Sequence, residues 1–272
     1  MASSFTPTVL TIAGSDTYGG AGLQIDIKTI HALGGYALSA PTALTSQNST
    51  GVKDLFAVPS EVFEKQLSTL LEDIQVDAVK IGMLANRELI EVLVNAIDKY
   101  ALKNIVLDTV LVSSSGKDLL EPCAVDFMKK ELFPRVDLIT PNIPEVHTLL
   151  TDTSYTGKED EVMLTAEKFF ELGVNAVLLK GGHSEDSGSV TDYLVERPDI
   201  ISSHSTKRVE TTHTHGTGCL LSSAIATHLA LGHTTEKSVY LAKKFIYNSL
   251  YSSSKLNLNY HDGNSERKEP IF

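Results

Sequence analysis

Short apolar stretches alternate with helix-forming stretches along most of the chain, and this alternation limits the possible folds more than any other feature. The first apolar stretch, residues 8–13, has no polar face, which is typical of a strand buried on both sides. Similar strands are predicted at residues 36–47, 76–83, 104–108, 136–140 and 176–180. The helices predicted between them are residues 23–33, 60–73, 86–100, 122–132 and 162–172, with Ser60 and Asn86 as N-caps. This alternation predicts an α/β fold with a mainly parallel central sheet and helices on both faces.

The pattern changes after Gly182. Residues 190–196 and 200–209 predict consecutive strands with a short connection, which indicates an antiparallel pair. Residues 220–230 are small and apolar and contain neither Gly nor Pro, so they predict a buried helix. A further helix is predicted at about residues 235–251.

Length and composition narrow the class of protein. We find no repeat or linker, so residues 1–272 are predicted to form a single domain, with a polar tail from about residue 252 that is loose except where it docks. The net charge of −11 argues against a nucleic-acid partner or an anionic membrane surface. Two distant cysteines, no signal peptide and no membrane-spanning apolar stretch predict a cytoplasmic protein.

Glycines and polar residues precede the helix predicted at residues 220–230, in the sequence Thr-His-Gly-Thr-Gly-Cys. The first N–H groups of a helix have no partner within it and favour an anion, and glycines let that anion approach the backbone. We therefore predict a catalytic anion site at Gly216, Thr217, Gly218 and Cys219, where the helix start would stabilise a Cys219 thiolate. The alternative is an ordinary loop that leads into a core helix, with Cys219 as a small buried residue that has no catalytic role.

Polar residues also stand at the ends of several predicted strands, and such ends meet at one edge of a parallel sheet. Two acids, Asp108 and Glu145, can hold Mg²⁺ directly or through water. Four residues of this edge are predicted to contact the phosphates or ribose of ATP: Asn142, Lys180, Thr214 and His215. Each residue alone is better explained as an ordinary cap or turn, whereas their coincidence at one edge favours a phosphoryl-transfer site.

The small-molecule acceptor is predicted to lie across the Gly-rich turn that follows the first strand. Asp26 and Gln47 carry polar groups that can bond a nitrogen heterocycle, and Met83 can stack on a flat ring. Gly14 and Val110 are assigned to the same pocket.

Taken together, these stretches resemble the hydroxymethylpyrimidine/phosphomethylpyrimidine kinases of thiamine biosynthesis, within the ribokinase-like superfamily. The shared motifs, in chain order, are Gly14-Ser15-Asp16, Gly19-Gly20-Ala21-Gly22, Lys80-x-Gly82-Met83, Val106-Leu107-Asp108, Thr140-Pro141-Asn142-x-Pro144-Glu145, Lys180-Gly181-Gly182-His183 and His215-Gly216-Thr217-Gly218-Cys219. The resemblance implies a three-layer ribokinase-like fold, ATP and Mg²⁺ as cofactors, and a homodimer. It also implies that the residues matching Asp26, Gln47 and Met83 hold the pyrimidine. Cysteine stands at 219, where many ribokinase-like enzymes have an aspartate base.

Three departures from the family concern the acceptor side. Tyr18 stands where serine is usual, Thr45 replaces a small apolar residue, and the tail lacks the usual Gly-x-Gly-Pro-x-x-His. The expected activity is ATP-dependent phosphorylation of 4-amino-5-hydroxymethyl-2-methylpyrimidine, in one step or two. A pyridoxal kinase and a non-catalytic binding protein remain the alternatives.

Overall fold

The computed structural model describes residues 6–113, 116–182, 188–198, 200–253, 256, 258–260, 267 and 269–271. The strands within these residues are β1 (Thr8–Asp16), β2 (Tyr36–Asn48), β3 (Gly51–Ala57), β4 (Ala78–Ile81), β5 (Ile105–Leu107), β6 (Leu138–Ile139), β7 (Ala176–Leu179), β8 (Ser189–Glu196) and β9 (Ile200–Lys207). The α-helices are α1 (Gly22–Ala32), α2 (Ser60–Leu71), α3 (Arg87–Tyr100), α4 (Pro122–Phe127), α5 (Ile143–Leu149), α6 (Val162–Glu171), α7 (Thr217–Ala230) and α8 (Thr235–Ser252). A π-helical turn at Met128–Leu132 extends α4, and 3-10 turns lie at Phe133–Arg135 and Glu159–Glu161.

All nine strands pair into one sheet, in the order β3-β2-β1-β4-β5-β6-β7-β8-β9. Six neighbouring strands of this sheet are parallel to one another, in the order β2, β1, β4, β5, β6 and β7. The outer strands β3, β8 and β9 pair antiparallel. The predicted α/β class, the mainly parallel sheet and the antiparallel pair are therefore confirmed.

Successive residues of the central strands pack against opposite layers of helices. Val79, Leu107 and Leu179 join the larger hydrophobic cluster, which also contains residues of α2, α3 and α6. Their neighbours Ala78 and Val106 join a second cluster with residues of α1, α7 and α8. Because side chains alternate along a strand, an apolar stretch without a polar face supplies both layers at once.

The structure corrects three local predictions. Ser60 is the first residue of α2 rather than its cap, and no side chain caps that helix. Strand β3 and helix α5 are absent from the prediction. Strand β3 is largely exposed and so lacks an apolar pattern. The prolines beside Asn142 indicate a turn rather than the start of a helix. In fact Asn142 caps α5 through a reciprocal pair with Glu145. The predicted Asn86 cap is confirmed, since its Oδ1 accepts from the Leu89 N–H at 3.0 Å.

Within the described residues, no helix combines the length and the apolarity needed to cross a membrane.

A buried ion pair joins four elements beneath the carboxyl edge of the sheet. Lys80 of β4 lies 2.8 Å from Asp26 of α1, and both side chains are fully buried. The Asp26 carboxylate also accepts from Thr11 of β1 and Ser223 of α7, each at 2.6 Å. Burial alone would lower the pKa of Lys80, but the Asp26 charge raises it above its usual value, so the ammonium stays charged.

Removing the Lys80 charge should destabilise the fold strongly, because Lys80→Met leaves the buried Asp26 carboxylate without its cation. We expect a loss of roughly 3–5 kcal/mol in the free energy of unfolding, measured by urea denaturation. Adding Asp26→Leu to Lys80→Met should restore part of it, since no unpaired charge remains. Lys99→Met, which removes an exposed partner of Glu72, is the control and should leave the urea midpoint unchanged. A Lys80→Met midpoint equal to that of the control would contradict this account.

Candidate active site

Two cavities meet at the carboxyl edge of the sheet, beside the start of α7. The larger encloses about 620 Å³, and every predicted site residue except Asp26 lines it. These lining residues are Gly14, Gln47, Met83, Asp108, Val110, Asn142, Glu145, Lys180, Thr214, His215, Gly216, Thr217, Gly218 and Cys219. The smaller cavity encloses about 250 Å³. Both cavities are lined by Asn142, Lys180, Thr214, Thr217 and Gly218.

Asp26 departs from its predicted place in the acceptor pocket. Its carboxylate lies behind the cavity wall, where Lys80, Thr11 and Ser223 already take up its oxygens. The signal for this arrangement is Lys80 itself, a cation in an otherwise apolar strand, since such a residue needs a buried partner.

The start of α7 is shaped for an anion. Gly216 precedes the helix in the left-handed conformation, at φ 87°, and no side chain caps the first turn. A Cβ on Gly216 would fall 1.7 Å from the carbonyl oxygen of Gly20, so the two glycine-rich loops touch backbone to backbone. At Gly218, the nearest side-chain atoms to a Cβ would be Asp108 Oδ2 at 3.5 Å and Lys180 Nζ at 3.6 Å. An anion at the first N–H groups of α7 would therefore lie close to one acid and one lysine.

The charges beside α7 form a compact cluster. Lys180 Nζ lies 3.0 Å from Asp108 Oδ1 and 3.7 Å from Glu145 Oε2. Burial raises the pKa of Asp108, but Lys180 and Lys80 outweigh it and hold that pKa below its usual value. For Glu145, burial and the Asp108 charge outweigh Lys180, and the pKa is raised. The pKa of Lys180 is raised by the two acids despite its burial.

Neighbouring hydroxyl groups orient these acids, and sequence reasoning does not find them. Thr140 and Ser222 each donate to Asp108 at 3.3 Å, and Thr109 donates to Glu145 at 2.9 Å. Threonine and serine at strand and helix ends are too common to signal a role. The described residues contain no group of three or more His, Cys, Asp or Glu side chains placed to hold a metal.

The remaining predicted acceptor residues line the larger cavity. Gly14 leaves room for Met83, because a Cβ there would fall 2.3 Å from the Met83 methyl carbon. Gln47 stands near the end of β2, and Val110 follows β5 by three residues. Thr45, a departure from the family pattern, also lines the cavity, and its Oγ1 lies 3.3 Å from Gln47 Oε1.

The side chain of His215, which the sequence predicts to contact the nucleotide, lies beside Gln47 and Asp16. Its Nε2 lies 3.0 Å from Asp16 Oδ2 and 3.2 Å from Gln47 Nε2. His215 lines only the larger of the two cavities. Thr214, the preceding residue, lines both.

Cys219 lines the larger cavity one residue beyond Gly218, but it is not the stabilised thiolate that a helix N-terminus suggests. Burial raises the pKa of Cys219 to about 11, and the nearby carboxylates of Asp26 and Asp108 add to this effect. The Lys80 charge and a backbone contact from Gly22 lower the pKa but do not compensate. At neutral pH the group is therefore a thiol, which can donate a hydrogen bond but cannot accept a proton.

Solved structures that superpose on this chain include pyridoxal kinases and a phosphomethylpyrimidine kinase. The pyridoxal kinase of Staphylococcus aureus, solved in complex with pyridoxal, superposes with a TM-score of 0.85 at 29% identity, covering 98% of this chain and 93% of that one. The phosphomethylpyrimidine kinase of Clostridium difficile 630 superposes with a TM-score of 0.79 at 38% identity, covering 90% of this chain and 100% of that one. Fold and site together define a small-molecule kinase of the ribokinase-like class.

The family model for phosphomethylpyrimidine kinase matches residues 16–264, and the chain belongs to that family. The hydroxymethylpyrimidine/phosphomethylpyrimidine kinase of Salmonella typhimurium is 41% identical over 233 residues, which are 84% of this chain and 86% of that protein. The probable thiamine biosynthetic bifunctional enzyme, chloroplastic, of Oryza sativa subsp. japonica is 41% identical over 250 residues. These are 92% of this chain but only 45% of the rice enzyme.

Alkylation tests the state of Cys219. In a Cys123→Ser background, so that Cys219 alone reports, iodoacetamide at pH 7.5 should react on the order of 100-fold more slowly than with free cysteine, because the thiolate is scarce. The rate should rise with pH and level off only near pH 11, because burial raises the pKa of Cys219 to about 11. The matched Cys219→Ser variant, which keeps the exposed Cys123, should react faster. A Cys219 rate that levels off below pH 8 would show a stabilised thiolate instead.

Proposed function

We propose that this protein transfers the γ-phosphoryl group of ATP to the hydroxymethyl group of 4-amino-5-hydroxymethyl-2-methylpyrimidine, and then to the resulting monophosphate. The observation that carries the proposal is that the two cavities meet at the first turn of α7. A phosphoryl group bound there has one cavity on each side of it, which is what direct transfer between two substrates requires. The names of the relatives support the choice of acceptor. Pairing of the strands into one sheet supports a single kinase domain over residues 1–272.

The smaller cavity suits the nucleotide. Its apolar lining comes from the segment before α7 and from α7 and α8, and includes Val209, Leu221 and Ile246. These side chains can pack on a flat base, while Asn142, Lys180 and Thr214 lie toward the shared end, where phosphates are needed. ATP use follows from the kinase family, and we assign this cavity to the donor.

The larger cavity suits the acceptor. Gln47 offers both a donor and an acceptor to a heterocycle edge, and Met83 and Val110 provide apolar contact for the ring. The N–H groups of Gly218 and Cys219, with Thr217, hold the transferred phosphoryl group. Because Cys219 is a thiol at neutral pH, we assign it to the cavity wall as a hydrogen-bond donor rather than a base. Phosphoryl transfer depends mainly on alignment and charge neutralisation, so an early base is not required.

A magnesium ion fits this site as part of a metal–nucleotide complex. Asp108 is ionised, and with Glu145 it stands beside the anion site. Mg²⁺ typically takes one or two carboxylates and completes its shell with water and substrate phosphates. We therefore assign Asp108 and Glu145 as its protein ligands, directly or through water. When bound, the ion neutralises charge on the phosphates.

Pyridoxal is the second candidate acceptor, because pyridoxal kinases superpose on this chain with TM-scores of 0.83 to 0.85. Pyridoxal offers a similar flat ring and the same primary alcohol. The higher identity to the pyrimidine kinases favours the pyrimidine.

The activity is tested by ADP release from Mg·ATP with each alcohol. We expect kcat/KM for 4-amino-5-hydroxymethyl-2-methylpyrimidine to exceed that for pyridoxal by at least about tenfold, a margin that one unmatched buried hydrogen bond can supply. A higher kcat/KM for pyridoxal would show that the protein is a pyridoxal kinase instead. If neither alcohol led to ADP release, the protein would be a non-catalytic binding protein.

Asp108→Asn should lower kcat by roughly 100-fold, since a charge at the transfer point is lost. The control Asp98→Asn changes an exposed acid that pairs with Arg135 and should leave kcat unchanged.

We also propose that two copies of the chain associate through the outer face of β2 and β3. Leu44 and Phe56 are direct cross-strand partners and are 56% and 61% exposed. Strand β3 is one of the two outermost strands of the sheet, so an edge of the sheet lies beside this apolar pair. Adjacent exposed apolar groups on an edge strand are typical of an interface.

Sedimentation velocity tests the homodimer. The wild-type chain should sediment as a dimer, and Phe56→Glu should shift it toward the monomer, because a charge would be buried against apolar groups. Leu164→Glu is the control: Leu164 is 63% exposed but lies on α6, away from that edge. A wild-type monomer, or equal behaviour of the two variants, would remove this interface.

A further inference from the structure

We propose that His215 and Thr45 are positioning residues that hold the Gln47 side-chain amide in one orientation, with its oxygen toward His215 and its NH₂ group toward Thr45. Gln47 would then present its donor and acceptor to the ligand in a fixed order. The inference rests on counting protons in the contacts around Gln47, and its consequence for substrate choice rests on the proposed function.

The proton on His215 Nε2 determines which end of the Gln47 amide faces it. Its Nε2 is within hydrogen-bond distance of Asp16 Oδ2, at 3.0 Å, and of the terminal amide of Gln47, at 3.2 Å. Three backbone N–H groups of the following loop donate to the Asp16 carboxylate, which keeps it ionised and able only to accept. His215 Nε2 must therefore carry a proton. A protonated nitrogen cannot accept from an NH₂ group, so the Gln47 oxygen has to face it.

The hydroxyl of Thr45 independently determines which end of the same amide faces it. Its hydroxyl lies 2.9 Å from the carbonyl oxygen of Ser15 and 3.3 Å from the other end of the Gln47 amide. The hydroxyl has one proton, and the Ser15 carbonyl can only accept it. Only lone pairs of Oγ1 remain for Gln47, and an NH₂ group complements them. Turning the terminal amide by half a rotation satisfies both His215 and Thr45 without changing its shape.

The surroundings keep both positioning residues in place. The His215 backbone N–H donates to the Glu269 carbonyl at 3.1 Å, and nearby Ile271 is almost fully buried against Ile25 and Leu220. Gly20 lies against the imidazole, where a Cβ would fall 2.4 Å from its Cδ2 atom. Thr45 is fixed by its place in the sheet, between β1 and β3.

The fixed amide leaves one N–H and one oxygen lone pair for a ligand. The positions of this donor and acceptor can be exchanged only if hydrogen bonds to the neighbouring residues are lost. A ring edge with an unprotonated nitrogen beside an amino group matches one order. The corresponding oxo compound carries N–H and C=O in the opposite order. Binding the oxo compound would require the amide to turn, at the loss of the contacts with both His215 and Thr45. We therefore infer that the acceptor site selects 4-amino over 4-oxo pyrimidine alcohols.

The orientation can be measured without any substrate by NMR of the ¹⁵N-labelled protein. We expect a directly bonded proton on His215 Nε2, and nuclear Overhauser effects from the Gln47 NH₂ protons to the Thr45 methyl group. An unprotonated Nε2, or NH₂ protons closest to the His215 ring, would overturn the proposal. This result does not depend on which alcohol the enzyme phosphorylates.

The consequence is tested by the ratio of kcat/KM for the 4-amino and 4-oxo pyrimidine alcohols. Thr45→Val keeps the shape but removes Oγ1, so the ratio should fall by roughly tenfold while KM for ATP is unchanged. The control Thr191→Val makes the same change on β8, outside both cavities, where the hydroxyl bonds Ser205, and its ratio should equal that of the wild type. An unchanged ratio in Thr45→Val would overturn selection by the amide. If the wild type phosphorylates pyridoxal and neither pyrimidine, the proposed function fails, and the NMR measurement alone decides on the orientation.

Discussion

The contact between Asp26 and Lys80 ties the two sides of the active site to the sheet. Two opposite charges that are fully removed from water remain stable only if each has the other and the remaining oxygens are bonded. Here the extra bonds come from Thr11 and Ser223, so one carboxylate joins β1, β4, α1 and α7. Helix α7 carries the anion site at its first turn, and Ser223 follows Cys219 by one turn. The ion pair therefore fixes the height and rotation of the helix at which phosphoryl transfer would take place.

The same buried charges govern the chemistry above them. Lys80 lowers the pKa of both Asp108 and Cys219, whereas burial raises both, and the carboxylates of Asp26 and Asp108 raise the pKa of Cys219 further. The outcome differs between the two groups: Asp108 is ionised, while Cys219 remains a thiol. An acid and a thiol that lie beside the same helix start thus suit different tasks, charge neutralisation for Asp108 and contact with the acceptor for Cys219.

Much of this architecture is predictable from the chain, because strands buried on both faces leave an unambiguous apolar pattern and their carboxyl ends gather the polar residues. The exposed strand β3 leaves no such pattern, and the Asn142 cap is obscured by the prolines that flank it. Lys80 in an apolar strand signals that a buried partner exists, but local patterns do not show that this partner is Asp26, 54 residues away. The pKa of Cys219 depends on burial by all of these elements at once, so a rule about helix termini gives the wrong sign. The side of the site on which His215 lies is likewise set by Asp16, far away in the chain.

The contact between Gly216 and Gly20 joins the two loops through backbone atoms alone. A contact between backbone atoms does not depend on which side chains the neighbouring loop residues carry. Neighbouring positions such as Tyr18, whose ring packs beside that of His215, can therefore change during divergence and alter the surroundings of the larger cavity, while the spacing between the two loops stays constant. The two glycines thus separate what the enzyme recognises from how it transfers, so a new alcohol can be adopted without rebuilding the transfer geometry.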